Sequence, residues 1–140
     1  MNFTGGCHCG RIEIDFETAI EPSQMDVRAC QCGFCRKHNS LAVSDPNGQI
    51  VIRIAGAEAQ SSYEFGLRTA AYIVCGRCGV YVAAATLQAP RRAIVVLSSL
   101  RNRERFAQPA RPVYYDNENR EERLARRQRT WTPATIALVA

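Results

Sequence analysis

Lysine is almost missing from this sequence. Arginine supplies 17 of its 18 basic residues, and Lys37 stands alone. Histidine is also scarce, at two residues, and no histidine-rich hydrolase motif is present. Neither a phosphate-binding loop nor a nucleophile elbow occurs, which removes the commonest phosphoryl- and acyl-transfer machinery. No apolar run approaches the roughly 18 residues that span a bilayer, so no membrane segment is expected. The stretch Met1-Asn2-Phe3-Thr4-Gly5-Gly6-Cys7 lacks the charged and apolar regions of a secretory signal, which makes the cytoplasm the expected location. There is no internal repeat, low-complexity tract or obvious linker.

What remains is a chain of 140 residues with 46% hydrophobic and 22% charged residues. That size predicts a single domain over 1–140, with a core at about 3–115 and a helical tail at about 116–133. Residues 11–17, Arg-Ile-Glu-Ile-Asp-Phe-Glu, alternate apolar and charged and read as a half-buried strand. Ile50, Ile52 and Ile54 mark a second strand after the turn cluster Ser44-Asp45-Pro46-Asn47-Gly48. Further short strands are expected near 62–65, 69–74, 80–85 and 93–98, so the fold class is mainly β. The segment 100–106 has room for one helical turn. Residues 117–127 read as a short helix with acids at its start and arginines at its end, as the helix dipole favours. Its charge run is expected to be a solvated face, and Trp131 a packing anchor. The apolar end, 135–140, is expected to dock on the core, seal an oligomer contact or fray; the sequence leaves the oligomeric state open.

A formal charge of +5 and a pI near 9.0 would suit nucleic acid. The seven cysteines argue otherwise. As thiolates on two zinc ions they would add seven negative and four positive charges, leaving only +2, so no nucleic-acid partner is expected. The cysteines stand as Cys7-His8-Cys9, Cys30-Gln31-Cys32-Gly33-Phe34-Cys35 and Cys75-Gly76-Arg77-Cys78-Gly79. An odd number cannot pair completely, and cysteines one residue apart make strained disulfides. Zinc takes four thiolates in a tetrahedron. In extended chain, Cys7 and Cys9 send both sulfurs one way, as do Cys30 and Cys32. The segment 75–79 reads as a turn-like knuckle whose glycines permit positive φ. Two groupings fit. Cys7, Cys9, Cys75 and Cys78 can close one site and leave the local triplet Cys30, Cys32 and Cys35. Alternatively, Cys32 and Cys35 join Cys75 and Cys78 and leave Cys7, Cys9 and Cys30. The local triplet favours the first. Three ligands and a free position is the form of a reactive zinc site, and three thiolates make a soft one that suits a thiol better than water.

Gly6-Cys7-His8-Cys9-Gly10, Cys30 to Lys37 and Cys75 to Gly79 together resemble the glutathione-dependent formaldehyde-activating enzyme family, which also includes centromere protein V. The likeness runs in order from about residue 3 to residue 85, and all seven cysteines fall on motif positions. Arg129-Thr130-Trp131-Thr132-Pro133 resembles the tail of one bacterial branch. The resemblance implies a zinc-stabilised β-tent (Mss-four-like) domain with a short C-terminal helix, shared with Rab-accessory proteins and methionine sulfoxide reductase B. It implies two zinc ions per chain. Cys7, Cys9, Cys75 and Cys78 would hold a structural ion, and Cys30, Cys32 and Cys35 a reactive one. The implied activity is that of a carbon–sulfur lyase adding glutathione, as a zinc-bound thiolate, to formaldehyde or a related aldehyde. Lys37 and His38 are then candidates for the proton transfer, and Arg36 and Lys37 for glutathione carboxylates. Arg53 and Arg68 are further carboxylate candidates. The competing class is a non-catalytic zinc-stabilised binding or thiol-carrier module. Redox repair is disfavoured, because every cysteine is used as a ligand.

Overall fold

Alternation explains most of the architecture. The computed structural model describes residues 1–139. Strand β1 (Asn2–Gly6) pairs antiparallel with β2 (Ile12–Glu17), where Ile12, Ile14 and Phe16 are buried and Glu13 and Glu17 are exposed. Short β3 (Arg28–Cys30) leads into α1 (Gly33–His38) and then β4 (Ala42–Val43). Next come β5 (Gln49–Ala55), β6 (Ser62–Tyr63), β7 (Ala70–Val74), β8 (Tyr81–Thr86) and β9 (Arg92–Val96). The chain closes with β10 (Arg111–Val113), α2 (Arg120–Thr130) and β11 (Thr132–Val139). Among the described residues these form one 11-stranded sheet, so the protein is mainly β with a short C-terminal helix. No helix is long and apolar enough to cross a membrane.

The last strand holds the sheet together. Residues 134–139 of β11 pair parallel with β5, and Thr132 and Pro133 pair antiparallel with β9. Without β11 the β1–β2–β5 ribbon would have no hydrogen-bonded link to the rest of the sheet. The apolar end therefore docks as a strand, with Ala140 outside the described residues. Thr132 is fully buried, and its Oγ1 accepts from the Asp45 amide at 2.7 Å, which pins the 44–48 turn to the C-terminus.

All six residues of β8 are buried, because both of its faces are covered. Ala83, Ala85, Ala93 and Val95 point into the main core with Phe3, Ile14 and Ile52. Ala84, Ile94 and Val96 point the other way and meet Trp131 and Tyr81, with Phe34 and Tyr72 packed alongside. That second, smaller cluster is the wall of the site. Helix α2 begins three residues later than its charge pattern suggests, at a capping box between Asn119 and Glu122. Its arginines depart from the expected solvated face: Arg127 is only 4% exposed and lies over the Trp131 ring. The expected turn in 100–106 is a single 3-10 turn, Arg103–Arg105.

Candidate active site

The seven cysteines gather in two groups. In each, the sulfurs all lie within 4.8 Å of one another. Cys7, Cys9, Cys75 and Cys78 form the first, and Cys30, Cys32 and Cys35 the second, while the alternative grouping of Cys32 and Cys35 with the knuckle does not occur. None is in a disulfide.

The first group joins two turns. Cys7 and Cys9 sit in the β1–β2 turn rather than in extended chain. Cys75 and Cys78 sit in the β7–β8 turn. Cys7 and Cys9 sulfurs are 3.6 Å apart, and those of Cys9 and Cys75 3.7 Å. Four thiolates about 2.3 Å from a central ion stand about 3.8 Å from each other, so this donor set fits a tetrahedral metal such as zinc. Backbone amides also reach the sulfurs: Ile12 N–H donates to Cys7 at 3.2 Å and Cys78 N–H to Cys75 at 3.5 Å. Gly79 takes the positive φ of the knuckle, but Gly76 is needed for another reason. A Cβ there would lie 2.2 Å from the Glu58 carbonyl oxygen. The Cys7 thiol is raised to about 11, chiefly by burial. Burial works to raise Cys78, but hydrogen bonds from the Cys9 and Val80 amides and with the Cys75 and Cys7 thiols together bring it down to about 6.

The second group is built at the start of α1. Cys30 ends β3, and Cys32 is the N-cap of α1, its sulfur accepting from the Cys35 amide at 3.4 Å. Contacts with Cys30 and then Cys35 pull the Cys32 thiol down to about 2. The same crowding raises Cys30, chiefly through Cys32, and raises Cys35, chiefly through Cys30. Sulfurs this close compete for protons, and a cation that replaces the protons relieves the competition. No fourth cysteine, histidine or carboxylate joins this group within 4.8 Å among the described residues. Three thiolates therefore fit a metal that keeps one position for another ligand.

Cys30 and Cys35 also line a cavity of about 60 Å³. Its other walls include Tyr72 and Tyr81 from the sheet, Arg28 and Tyr115 from the β3–β10 side, and Arg126, Arg127 and Trp131 from α2 and its end. Tyr72 is pushed up to about 12 and Tyr81 well above the usual phenol range, both chiefly by burial, so both stay neutral O–H donors. Sequence reasoning missed Arg28, Tyr72, Tyr81, Tyr115, Arg126 and Arg127. No local pattern in α2 separates Arg126 and Arg127 from Arg120, Arg123 and Arg129, which do not line the cavity.

Arg36, Lys37 and His38 are exposed on the last turn of α1 and do not line the cavity. The His38 ring lies 4.5 Å from Phe34 and 5.2 Å from Tyr81. Arg53 is engaged on the outer sheet by Asp15 and by Glu13, the latter at 3.6 Å. Arg68 is exposed in a loop at a φ of 53°.

Fold and site thus define a small β protein with two cysteine clusters suited to metal, one of them open on a cavity. Residues 2–117 match the sequence model of the glutathione-dependent formaldehyde-activating enzyme family. The chain belongs to that family. A crystal structure of a Rhodobacter sphaeroides protein, solved as a structural-genomics target, is similar at 30% identity and a TM-score of 0.61, over 79% of this chain and 98% of its own. Arg120 to Val139, which include α2 and β11, lie beyond the family match.

Proposed function

We propose that this protein joins glutathione to formaldehyde or a related small aldehyde at the Cys30–Cys32–Cys35 group, as a carbon–sulfur lyase of the S-(hydroxymethyl)glutathione synthase type. The observation that carries this reading is a three-thiolate donor set with no fourth protein ligand among the described residues, opening on a cavity that holds only a few heavy atoms. Zinc bound there supplies the positive charge that holds an incoming thiol as its thiolate. Cys7, Cys9, Cys75 and Cys78 hold a second zinc that staples the fold.

The cavity is far smaller than the roughly 300 Å³ at which pockets for drug-sized ligands begin, so the tripeptide stays outside. Arg36 and Lys37 stand on the outer face of α1, beside the cysteines, where glutathione carboxylates would lie. The aldehyde enters the cavity. The thiolate sulfur attacks its carbon, the S–C bond forms, and the carbonyl π pair moves to oxygen. A proton, matching the one the thiol lost, then returns to that oxygen; Tyr72 and Tyr81, which line the cavity, are the candidate donors, with exposed His38 beside Tyr81 as a route to solvent. The sum is redox-neutral. Seven cysteines kept out of disulfides suit a reducing compartment, which supports the cytoplasm as the location.

The test replaces zinc by Co(II). Two metals per chain, and a thiolate-to-metal charge-transfer band that rises saturably with glutathione, are expected. Protein should also speed the NMR exchange between free formaldehyde and its glutathione adduct beyond the spontaneous rate. Lys37→Gln or Arg36→Gln should weaken the glutathione titration by up to about fivefold each, the worth of an exposed charge contact. A band that ignores millimolar glutathione removes the reading and favours a non-catalytic module.

A further inference from the structure

Arg127 is a buried cation without an anion. Its side chain is 4% exposed, and no carboxylate is within salt-bridge distance among the described residues. Its NH1 donates to Thr69 Oγ1, and its guanidinium carbon lies 4.6 Å from the Trp131 ring centre. Its Nε, fully buried, has no partner. Arg28, on the same cavity, is 11% exposed and is held by Ser44 Oγ at 2.8 Å. The one carboxylate near it, Asp26 at 3.9 Å, is already gripped by Arg111 at 2.8 and 3.1 Å. Arg126 pairs with Glu118 at 2.7 and 3.0 Å, and Glu118 also takes Arg123 at 3.3 Å.

Of the three guanidiniums on the cavity, Arg127 alone has no carboxylate within salt-bridge distance among the described residues. Arg127 is thus a buried, unpaired cation on a site only a few heavy atoms wide, with its Nε unpartnered. Before addition, formaldehyde carries no negative charge to pair with it. A carboxylate does: guanidinium N–H groups match its two oxygens, and the pairing gains strength away from water. The Ile94, Val96 and Trp131 walls then leave room for two or three carbons.

We propose that this cavity is a carboxylate-binding pocket, with Arg127 and Arg28 as its anion contacts, and that the aldehyde joined here carries a carboxylate beside its carbonyl, as glyoxylate does. The carboxylate sits at the arginine end and the carbonyl faces Cys30 and Cys35. This rests on the thiol–aldehyde reading above. The chemistry of the step is unchanged: sulfur bonds to the carbonyl carbon and the oxygen takes the proton. Arg127 and Trp131 lie beyond the segment matched to the family, whereas Arg28 lies within it, so the pocket combines the C-terminal segment with β3.

Trp131 is the only tryptophan and lines the cavity, so its fluorescence reports the occupant. Zinc-loaded full-length protein is titrated with glyoxylate and, separately, with glycolaldehyde, its uncharged counterpart. A saturable change with glyoxylate and none with glycolaldehyde is expected. Arg127→Met should weaken it at least tenfold; if that variant fails to fold, Arg28→Met should do the same. The exchange-rate preference for glyoxylate over formaldehyde should fall by a similar factor. No saturable response of folded wild-type protein below about 10 mM, ten times a millimolar Kd, overturns the pocket. If mercaptoacetate rather than glyoxylate gives the response, the carboxylate belongs to the thiol and the aldehyde assignment fails. Glyoxylate binding with no cobalt-band response to glutathione sustains the pocket and overturns the thiol–aldehyde reading instead.

Discussion

Replacing Cys7 and Cys9 together by serine removes half of the first cluster and cuts the tie between the β1–β2 turn and the β7–β8 turn. Cys9 and Cys75 meet across 66 residues of chain. Treated as a cross-link, a metal joining them removes loop entropy from the unfolded chain worth about 4 kcal/mol. The second cluster closes a loop of only five residues, from Cys30 to Cys35, worth about 2 kcal/mol on the same scale. Total stability for a domain of this kind is about 5–15 kcal/mol, so the first loss is a large share of it. In a chain of this length about 4 kcal/mol lowers Tm by roughly 10–20 °C. The double variant Cys7→Ser/Cys9→Ser should therefore melt well below wild type and hold one zinc. Cys30→Ser/Cys32→Ser should also hold one zinc but lose about half as much in Tm. Calorimetry with metal counting on the same samples reads both. Equal melting of the two double variants, or two zinc ions retained after Cys7→Ser/Cys9→Ser, would refute the assignment of the first cluster as the staple.

Two further outcomes follow from single contacts. Gly76→Ala places a methyl 2.2 Å from the Glu58 carbonyl oxygen, and should cost about 1–3 kcal/mol and loosen zinc at the knuckle. Gly33→Ala, which meets nothing within 4 Å, is the control and should leave Tm and zinc content unchanged. Glu118→Gln should cost about 1–3 kcal/mol at pH 7, because it strips the half-buried Arg126 of its partner. Burial works to raise the Glu118 pKa, but hydrogen bonds from Arg126, with Arg123 behind, hold it below the ordinary range. Its stabilisation is therefore complete above the unfolded value of about 4.3 and is lost as pH falls through the lower folded value. The stability gap between wild type and Glu118→Gln, measured by urea unfolding, should shrink between pH 5 and about pH 3; a gap independent of pH would contradict the pairing.

Much of this was written locally. Ile12, Ile14 and Phe16, and Ile50, Ile52 and Ile54, announce buried strand faces because the strand period is two residues and the apolar residues keep it. The three cysteine motifs announce metal because their spacings bring sulfurs together within single turns. Helix α2 is legible from its acidic start and basic end. The 135–139 segment is apolar enough to dock, but its parallel pairing with β5 depends on a partner some 85 residues away, which no local pattern encodes.

The sequence by itself determined the chemistry available: seven soft ligands in three clusters, a β framework and an excess of arginine. Tertiary structure decided which arginines matter. Arg28, Arg126 and Arg127 come from opposite ends of the chain to one cavity beside Cys30 and Cys35. In the sequence Arg126 and Arg127 are two more charges in an arginine-rich stretch, and Arg28 is an isolated charge; either ordinarily faces water. Whether a guanidinium is hydrated, paired or buried alone depends on what the fold packs against it. Here β8 and β9 supply an apolar wall, Trp131 a stacking face, and Glu118 a partner for Arg126 but none for Arg127.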